Sequence, residues 1–240
     1  MQQYFIERDF KVLETFLLPD KIAYHLKTVL KVTKSTQIRI SNTKQLFIAE
    51  VKNNNSQLTA KIIEEITAPF EFESAVVLFL ALIKKDRFEW ALQKATELGV
   101  SKIIPVITDH CVVKINGKIE KKLERWQTIV VEAAEQAHRL KYPTILAPVE
   151  LPKINDYLEN QNFVAYEDLK QVLLQPSRIK KDSSLSILIG PEGGFSKRDL
   201  RYLKQYNFQF CGLGPRILRS ETAVVSALSV INLALNNEVV

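Results

Sequence analysis

The chain has 240 residues, of which 46% are hydrophobic, with a formal net charge of +6 and an isoelectric point near 9.2. This is enough apolar material for one large domain or two small ones, and the longest apolar run, Ala75 to Ile83, is too short to span a bilayer. With only Cys111 and Cys211, and with His25, His110 and His138 at no metal-ligand spacing, the composition argues against a disulfide scaffold and a zinc site, and leads to the expectation of a cytoplasmic protein with no metal and a polyanionic partner.

In chain order, a polar start precedes a short helix over Asp20 to Leu30. Gln37 to Ser41 alternates, with Ile38 and Ile40 on one face, and Leu46 to Val51 follows after a hairpin turn at Asn42-Thr43-Lys44. Asn53-Asn54-Asn55-Ser56 is a stronger break, after which Leu58, Ala60 and Ile62 line one face of a third strand. These features predict a small antiparallel β module over residues 1–70. It carries ten basic against seven acidic residues, half of the net positive charge.

From Ala75 the pattern changes to that of an α/β domain, residues 71–240. The run Ala75 to Ile83 reads as a strand, and Arg87 to Leu98 as a helix with Phe88, Ala91, Leu92, Ala95 and Leu98 at helical spacing, closed by Gly99. Lys102 to Ile107 is a second buried strand, so the segment is a crossover unit of a parallel sheet. A long helix is expected from Lys118 to Leu140, stopped by Pro143. Short strands at Thr144 to Val149 and Phe163 to Tyr166 lead to the strand Leu185 to Ile189. Ser196-Lys197-Arg198-Asp199 has the spacing of a capping box opening a helix to Tyr206. A last strand, Phe208 to Leu213, precedes an apolar helix over Thr222 to Leu235.

Five of the seven glycines fall between Gly190 and Gly214, in two loops that leave strands at their carboxyl ends, where open parallel sheets bind ligands. The loops lack the Gly-Lys-Ser/Thr of a phosphate-binding loop, since Gly194 is followed by Phe195-Ser196. They also lack the third glycine of a dinucleotide fingerprint, because Ile217 stands there. Aliphatic side chains and exposed backbone suit a flat, largely neutral heterocycle such as an adenosine.

The stretches Ile189-Gly190-Pro191-Glu192-Gly193-Gly194-Phe195-Ser196 and Leu213-Gly214-Pro215-Arg216-Ile217-Leu218-Arg219-Ser220-Glu221-Thr222-Ala223 resemble the paired C-terminal signature of RsmE-type ribosomal RNA methyltransferases of the SPOUT class. Further matches in the same order are His25 to Lys31, Gln93 to Val100, Arg125-Trp126, and Glu132 to Arg139 with Pro143. The chain departs from that pattern in the N-terminal module, where Lys31 and Ser35-Thr36 replace an arginine and a Gly-Asp pair, and at Asp199, where glutamate is common.

The resemblance implies a PUA-like β-barrel, an RNA-binding module, followed by an α/β SPOUT domain with a trefoil knot. It also implies a homodimer acting on 16S ribosomal RNA or the small ribosomal subunit, with S-adenosyl-L-methionine as cofactor and N3 of a uridine in the decoding region as target. On this basis the cofactor cradle is Ile189, Gly190, Pro191, Glu192, Gly193, Gly194, Leu213, Gly214, Ile217 and Leu218, with the loop after Tyr166 as a third wall. Arg139 and Arg219 are the candidates to hold phosphate or the uracil carbonyls, because a guanidinium is bidentate and always charged. Glu221 is the candidate proton acceptor. The basic clusters Lys84-Lys85-Arg87, Lys118 to Arg125 and Lys197-Arg198-Arg201-Lys204 are expected to grip RNA backbone. The other readings of this chain are a non-catalytic RNA-binding or assembly factor that keeps the fold, and a nucleotide enzyme of ordinary doubly wound type.

Overall fold

The computed structural model describes residues 1–32, 35–54, 57–68, 71–113, 119–169 and 171–236. The chain divides into two compact units, Met1–Glu71 with Ala134–Tyr142, and Phe72–Ala133 with Pro143–Val240.

The first unit holds five strands: β1 (Gln3–Phe5), β2 (Thr15–Leu17), β3 (Ser35–Ser41), β4 (Leu46–Asn54) and β5 (Gln57–Ile66), in the order β1-β3-β4-β5-β2. The expected hairpin joins β3 to β4, and the Asn42 side-chain oxygen accepts from the amides of Lys44 and Gln45 at 3.0 and 2.7 Å. A short polar side chain that mimics a backbone acceptor is the reason asparagine favours such turns. The alternating residues Ile38, Ile40, Phe47, Ala49, Val51, Leu58, Ala60 and Ile62 are buried with Ile22 and Leu26 of helix α1 (Asp20–Thr28).

Two strands were hidden in the polar start. β2 pairs antiparallel with β5, but β1 pairs parallel with β3, so the sheet is not wholly antiparallel. Three-residue strands carry no readable period, and β1 buries Gln3 alongside Tyr4, contrary to any alternation rule.

The second unit is built on seven parallel strands: β6 (Val76–Ala81), β7 (Lys102–Ile107), β8 (Thr144–Ile145), β9 (Val149–Glu150), β10 (Gln161–Ala165), β11 (Leu185–Ile189) and β12 (Gln209–Cys211). Their order is β12-β10-β11-β6-β7-β8, with β9 also on β7. The unbroken apolar run of β6 follows from burial on both faces. Val76, Leu78 and Leu80 pack with helices α2 (Lys85–Glu97), α3 (Ile119–Gln136) and α5 (Ser220–Asn236), whereas Val77 and Phe79 pack with Leu203 of helix α4 (Lys197–Gln205) and with Leu151 and Ile154. A sheet covered on both sides by helices is the α/β architecture expected of such runs.

Three helices end in the same way. In α2 the amides of Gly99 and Val100 bond back to Thr96 and Ala95; in α3 those of His138 and Arg139 bond to Glu135 and Ala134; in α4 those of Asn207 and Phe208 bond to Lys204 and Leu203. The pivotal residues Gly99, His138 and Asn207 all have positive φ, the Schellman arrangement. Glycine announced only the first. The long helix therefore stops at Gln136 rather than Leu140, closed by His138 in a left-handed conformation, well before Pro143 is reached. Lys118, its expected start, lies outside the described residues. No helix among the described residues is long and apolar enough to cross a membrane.

Candidate functional site

β11 and β12 deliver their glycine loops to the same end of the sheet, and the two loops meet. One pocket is lined by Ile189, Gly190, Pro191, Gly194 and Phe195 from the first loop and by Leu213, Gly214, Arg216, Leu218, Ser220 and Ala223 from the second. Ala165, Tyr166 and Glu167, just past β10, form its third wall. A larger and more apolar hollow under Lys85, Phe88, Lys121 and Trp126 contains none of the glycine-loop residues.

The first loop is braced from several directions. Ser220 Oγ donates to the Gly190 carbonyl at 2.8 Å, which ties the start of α5 to the end of β11. His110 Nδ1 lies 2.8 Å from the Gly193 carbonyl. Ser196 caps α4, accepting from the amides of Arg198 and Asp199 at 3.1 and 3.0 Å, while its own amide donates to Asp199 Oδ2 at 2.9 Å, so the shorter acid completes the capping box. Ser196 Oγ also donates to Asp109 at 2.6 Å, and Arg198 pairs with the same carboxylate. Those two hydrogen bonds hold the Asp109 carboxyl below its ordinary pKa, Arg198 contributing most.

The first glycines are there for space. A Cβ on Gly190 would stand 2.9 Å from the Phe195 ring, and one on Gly194 would stand 2.7 Å from Glu167 Oε1 at a φ of +66°. Gly212 is tighter still, because a Cβ there would run into the Leu169 carbonyl oxygen. The segment around it is pinned to the 166–174 loop. Tyr166 N donates to Cys211 O, Gly212 N to Val172 O, and Leu174 N to Gly212 O, at 2.9, 2.9 and 3.0 Å.

Seven of the ten expected cradle residues line the pocket: Ile189, Gly190, Pro191, Gly194, Leu213, Gly214 and Leu218. Three do not. Ile217 is 81% exposed, Glu192 reaches away to Arg87, and Gly193 serves through its carbonyl as the acceptor for His110. Glu221 sits beside the pocket between Ser220 and Ala223, Arg219 is exposed with no ion pair among the described residues, and Arg139 belongs to the first unit.

Arg139 is 8% exposed and commits its guanidinium to Glu71, with Nε and Nη2 at 3.3 and 2.8 Å from the two carboxylate oxygens. Glu71 also accepts from the amides of Leu140 and Lys141, and the Arg139 carbonyl accepts from Gln3. A guanidinium buried and engaged in this way is a structural pin, and the helix-end position gave no hint of it.

Composition alone could not single out Arg87. It lies in the first turn of α2, with Nη1 3.4 Å from Glu192 Oε1 and Nε 3.6 Å from Glu221 Oε1, so one cation ties the first loop to the helix that follows the second. Glu221 Oε2 is buried and has no hydrogen-bond partner among the described residues. Each basic cluster likewise gives up an arginine to an internal carboxylate: Arg87 here, Arg125 to Glu89 at 2.6 Å, and Arg198 to Asp109. Lys84, Lys85, Lys121, Lys197, Arg201 and Lys204 are exposed.

The chain matches the model of the RNA methyltransferase domain family over residues 70–232. It is 34% identical to ribosomal RNA small subunit methyltransferase E of Bacillus subtilis (strain 168) over 247 residues, covering 97% of this chain and 96% of that one. The Mesomycoplasma hyopneumoniae (strain 232) protein of the same name is 33% identical, covering 95% and 98%. The chain belongs to the ribosomal RNA small subunit methyltransferase E family. Among solved structures, the family's enzyme from Neisseria gonorrhoeae, bound to S-adenosyl methionine, superposes with a TM-score of 0.86 at 29% identity over 96% of each chain. In this family member, then, the pocket between the two loops occupies the part of the chain that the domain family covers.

Proposed function

We propose that this protein uses S-adenosyl-L-methionine to methylate N3 of a uridine in the decoding region of 16S ribosomal RNA. The observation that carries the reading is the meeting of the two glycine loops in one pocket with aliphatic and backbone walls. Those walls fit an adenosine: Gly190 and Gly194 keep the backbone open where a Cβ would intrude on Phe195 or Glu167, while Ile189, Leu213 and Leu218 offer apolar surface to a heterocycle. When bound, S-adenosylmethionine supplies an electrophilic methyl group on a sulfonium.

The chain's own residues then have three tasks. The cradle Ile189, Gly190, Pro191, Gly194, Leu213, Gly214 and Leu218 orients the donor for in-line attack, with Glu192, Gly193 and Ile217 holding the outer turns of the two loops. Arg219, exposed at the end of the second loop, holds substrate phosphate or uracil carbonyls through its fork of donors. As the bond from N3 to the methyl carbon forms and the carbon–sulfur bond breaks, the N3 proton must leave. Glu221 is the acceptor in this reading, and its Oε2 is buried with no hydrogen-bond partner among the described residues. Arg139 contributes at a remove, by fixing the segment after α3 through Glu71.

The target atom lies on the Watson-Crick edge, so the uridine must be unpaired or flipped before transfer. The first module, PUA-like and closed as a barrel in this reading, supplies half of the net positive charge to the RNA. A trefoil knot is the finer form of the α/β domain, supported by the tight passage of Cys211 to Leu213 along the 166–174 loop, where Gly212 admits no side chain. We place the protein in the cytoplasm as a homodimer.

Mass spectrometry of 16S ribosomal RNA from a deletion strain tests the reading. It predicts the loss of one 3-methyluridine, restored by the gene, and an unchanged nucleoside profile would contradict it.

A further inference from the structure

We propose that Glu167 reads the sugar of the cofactor, its carboxylate accepting hydrogen bonds from the ribose hydroxyls. This rests on the reading of the pocket as a site for S-adenosylmethionine, and it assigns a role to a residue outside both glycine loops.

Topology supplies the first reason. β10 and β11 are parallel neighbours, with Val164 opposite Leu188, and Glu167 stands two residues past the end of β10 while the glycine loop leaves β11. In open parallel sheets a nucleoside lies across the carboxyl ends of adjacent strands. A glycine turn after one strand approaches the ligand closely, and an acidic side chain after its neighbour takes a ribose hydroxyl. The two loops here repeat that division of labour without the pyrophosphate-binding pattern.

Chemistry supplies the second. Glu167 is the only carboxylate among the described residues that line the pocket. The other hydroxyls there are already engaged: Tyr166 donates to Asp168 at 2.8 Å, and Ser220 donates to the Gly190 carbonyl. The Tyr166 bond to Asp168, followed by burial, raises the phenol's pKa above its ordinary value, so Tyr166 stays a neutral donor turned to Asp168. Arg216 can only donate. Glu167 itself forms no hydrogen bond or ion pair among the described residues, which leaves its acceptor oxygens available to a diol.

Space supplies the third. A Cβ on Gly194 would stand 2.7 Å from Glu167 Oε1, so a glycine at 194 is what lets this carboxylate lie against the first loop. The cradle and the acid are fitted to each other.

Calorimetric titration of the full-length protein separates the possibilities. Wild type, Glu167→Ala and Glu167→Gln are each titrated with S-adenosylmethionine, S-adenosylhomocysteine and the 2′-deoxy and 3′-deoxy forms of the latter. Losing hydrogen bonds to a charged group is expected to weaken Glu167→Ala for both natural ligands by about ten- to a hundredfold, with Glu167→Gln between it and wild type. At least one deoxy form should bind wild type correspondingly weakly and lose little more in Glu167→Ala. Unchanged affinity in Glu167→Ala, with wild type binding normally, overturns the assignment alone. A loss confined to S-adenosylmethionine also overturns it, because the carboxylate would then be reading the sulfonium charge. Equal losses for the hydroxylated and both deoxy ligands overturn it too. Wild type that binds none of the four removes the cofactor reading itself and this assignment with it. Glu167 is exposed, so an unchanged melting temperature is the expected control for folding.

Discussion

The two glycine loops look alike in sequence and differ in how they are held. The first is braced along its whole length, by Ser220 on Gly190, Arg87 on Glu192, His110 on Gly193 and Asp109 on Ser196. The second is held at its two ends, at its entrance where Gly212 is squeezed against the Leu169 carbonyl, and at its exit where Ser220 bonds to the Gly190 carbonyl. Between them, Gly214 faces open space and Arg216, Ile217 and Arg219 are exposed. A loop fixed on all sides suits a donor that must be held in one geometry. A loop anchored only at its ends, with charged and apolar side chains left outside between them, suits a large substrate that arrives from solution. In the proposed function, the first loop serves the cofactor and the outer half of the second serves RNA.

The largest expected effect is at the clamp. Gly212→Ala puts a methyl group into the Leu169 carbonyl oxygen where three hydrogen bonds hold Cys211 and Gly212 against Tyr166, Val172 and Leu174, and roughly 4 kcal/mol or more of stability should be lost. Gly214→Ala is its internal control. It meets no neighbour, so only its φ of +117° is penalised, at about 1–3 kcal/mol. Thermal melts of the two variants check the contrast, and equal losses would mean that the entrance is no tighter than the tip.

Next comes Arg219→Ala. Removing one preorganised donor is expected to slow methyl transfer by on the order of a hundredfold while leaving the dissociation constant for S-adenosylmethionine unchanged. If cofactor affinity fell in parallel, the outer half of the second loop would belong to the cofactor. Arg87→Ala should do the reverse in kind and less in size. Its bonds to Glu192 and Glu221 are long and partly exposed, each worth about 1 kcal/mol at most, so cofactor affinity should weaken roughly fivefold.

The smallest effect concerns Asp109. Its folded-state pKa lies below the ordinary carboxylate value, so the stabilisation it gives the first loop is present above the unfolded value and is lost as pH falls through the folded one. Hydrogen exchange at the amides of Arg198 and Asp199 should therefore quicken only below about pH 4, with little change above it.

Much of this was readable before the fold. The switch of period at Ala75, the parallel strands and the two glycine-rich loops after strands each follow from a local rule, and the capping box at Ser196 held even with the shorter acid. The unread features are those for which the decisive partner is distant in sequence. Arg139 reads as a helix-end cation, yet Glu71, 68 residues earlier, decides its state. Arg87 reads as one of a run of surface charges until Glu192 and Glu221 are brought to it. Glu167 follows a short strand with no motif of its own, and only the pairing of β10 with β11 puts it in the pocket. The left-handed His138 that ends α3 is invisible for another reason: histidine adopts that conformation rarely enough that sequence favours the later proline.

The most direct test of the division between the two loops is calorimetric titration of S-adenosylmethionine into wild type and Gly190→Arg. A side chain at 190 meets the Phe195 ring at the proposed cofactor cradle, so the variant should keep its secondary structure and a cooperative melting transition, lowered as Phe195 gives way, yet show no binding heat, against a saturable single-site isotherm for wild type. A folded Gly190→Arg variant that binds with wild-type affinity, or a wild type that does not bind, would contradict the account.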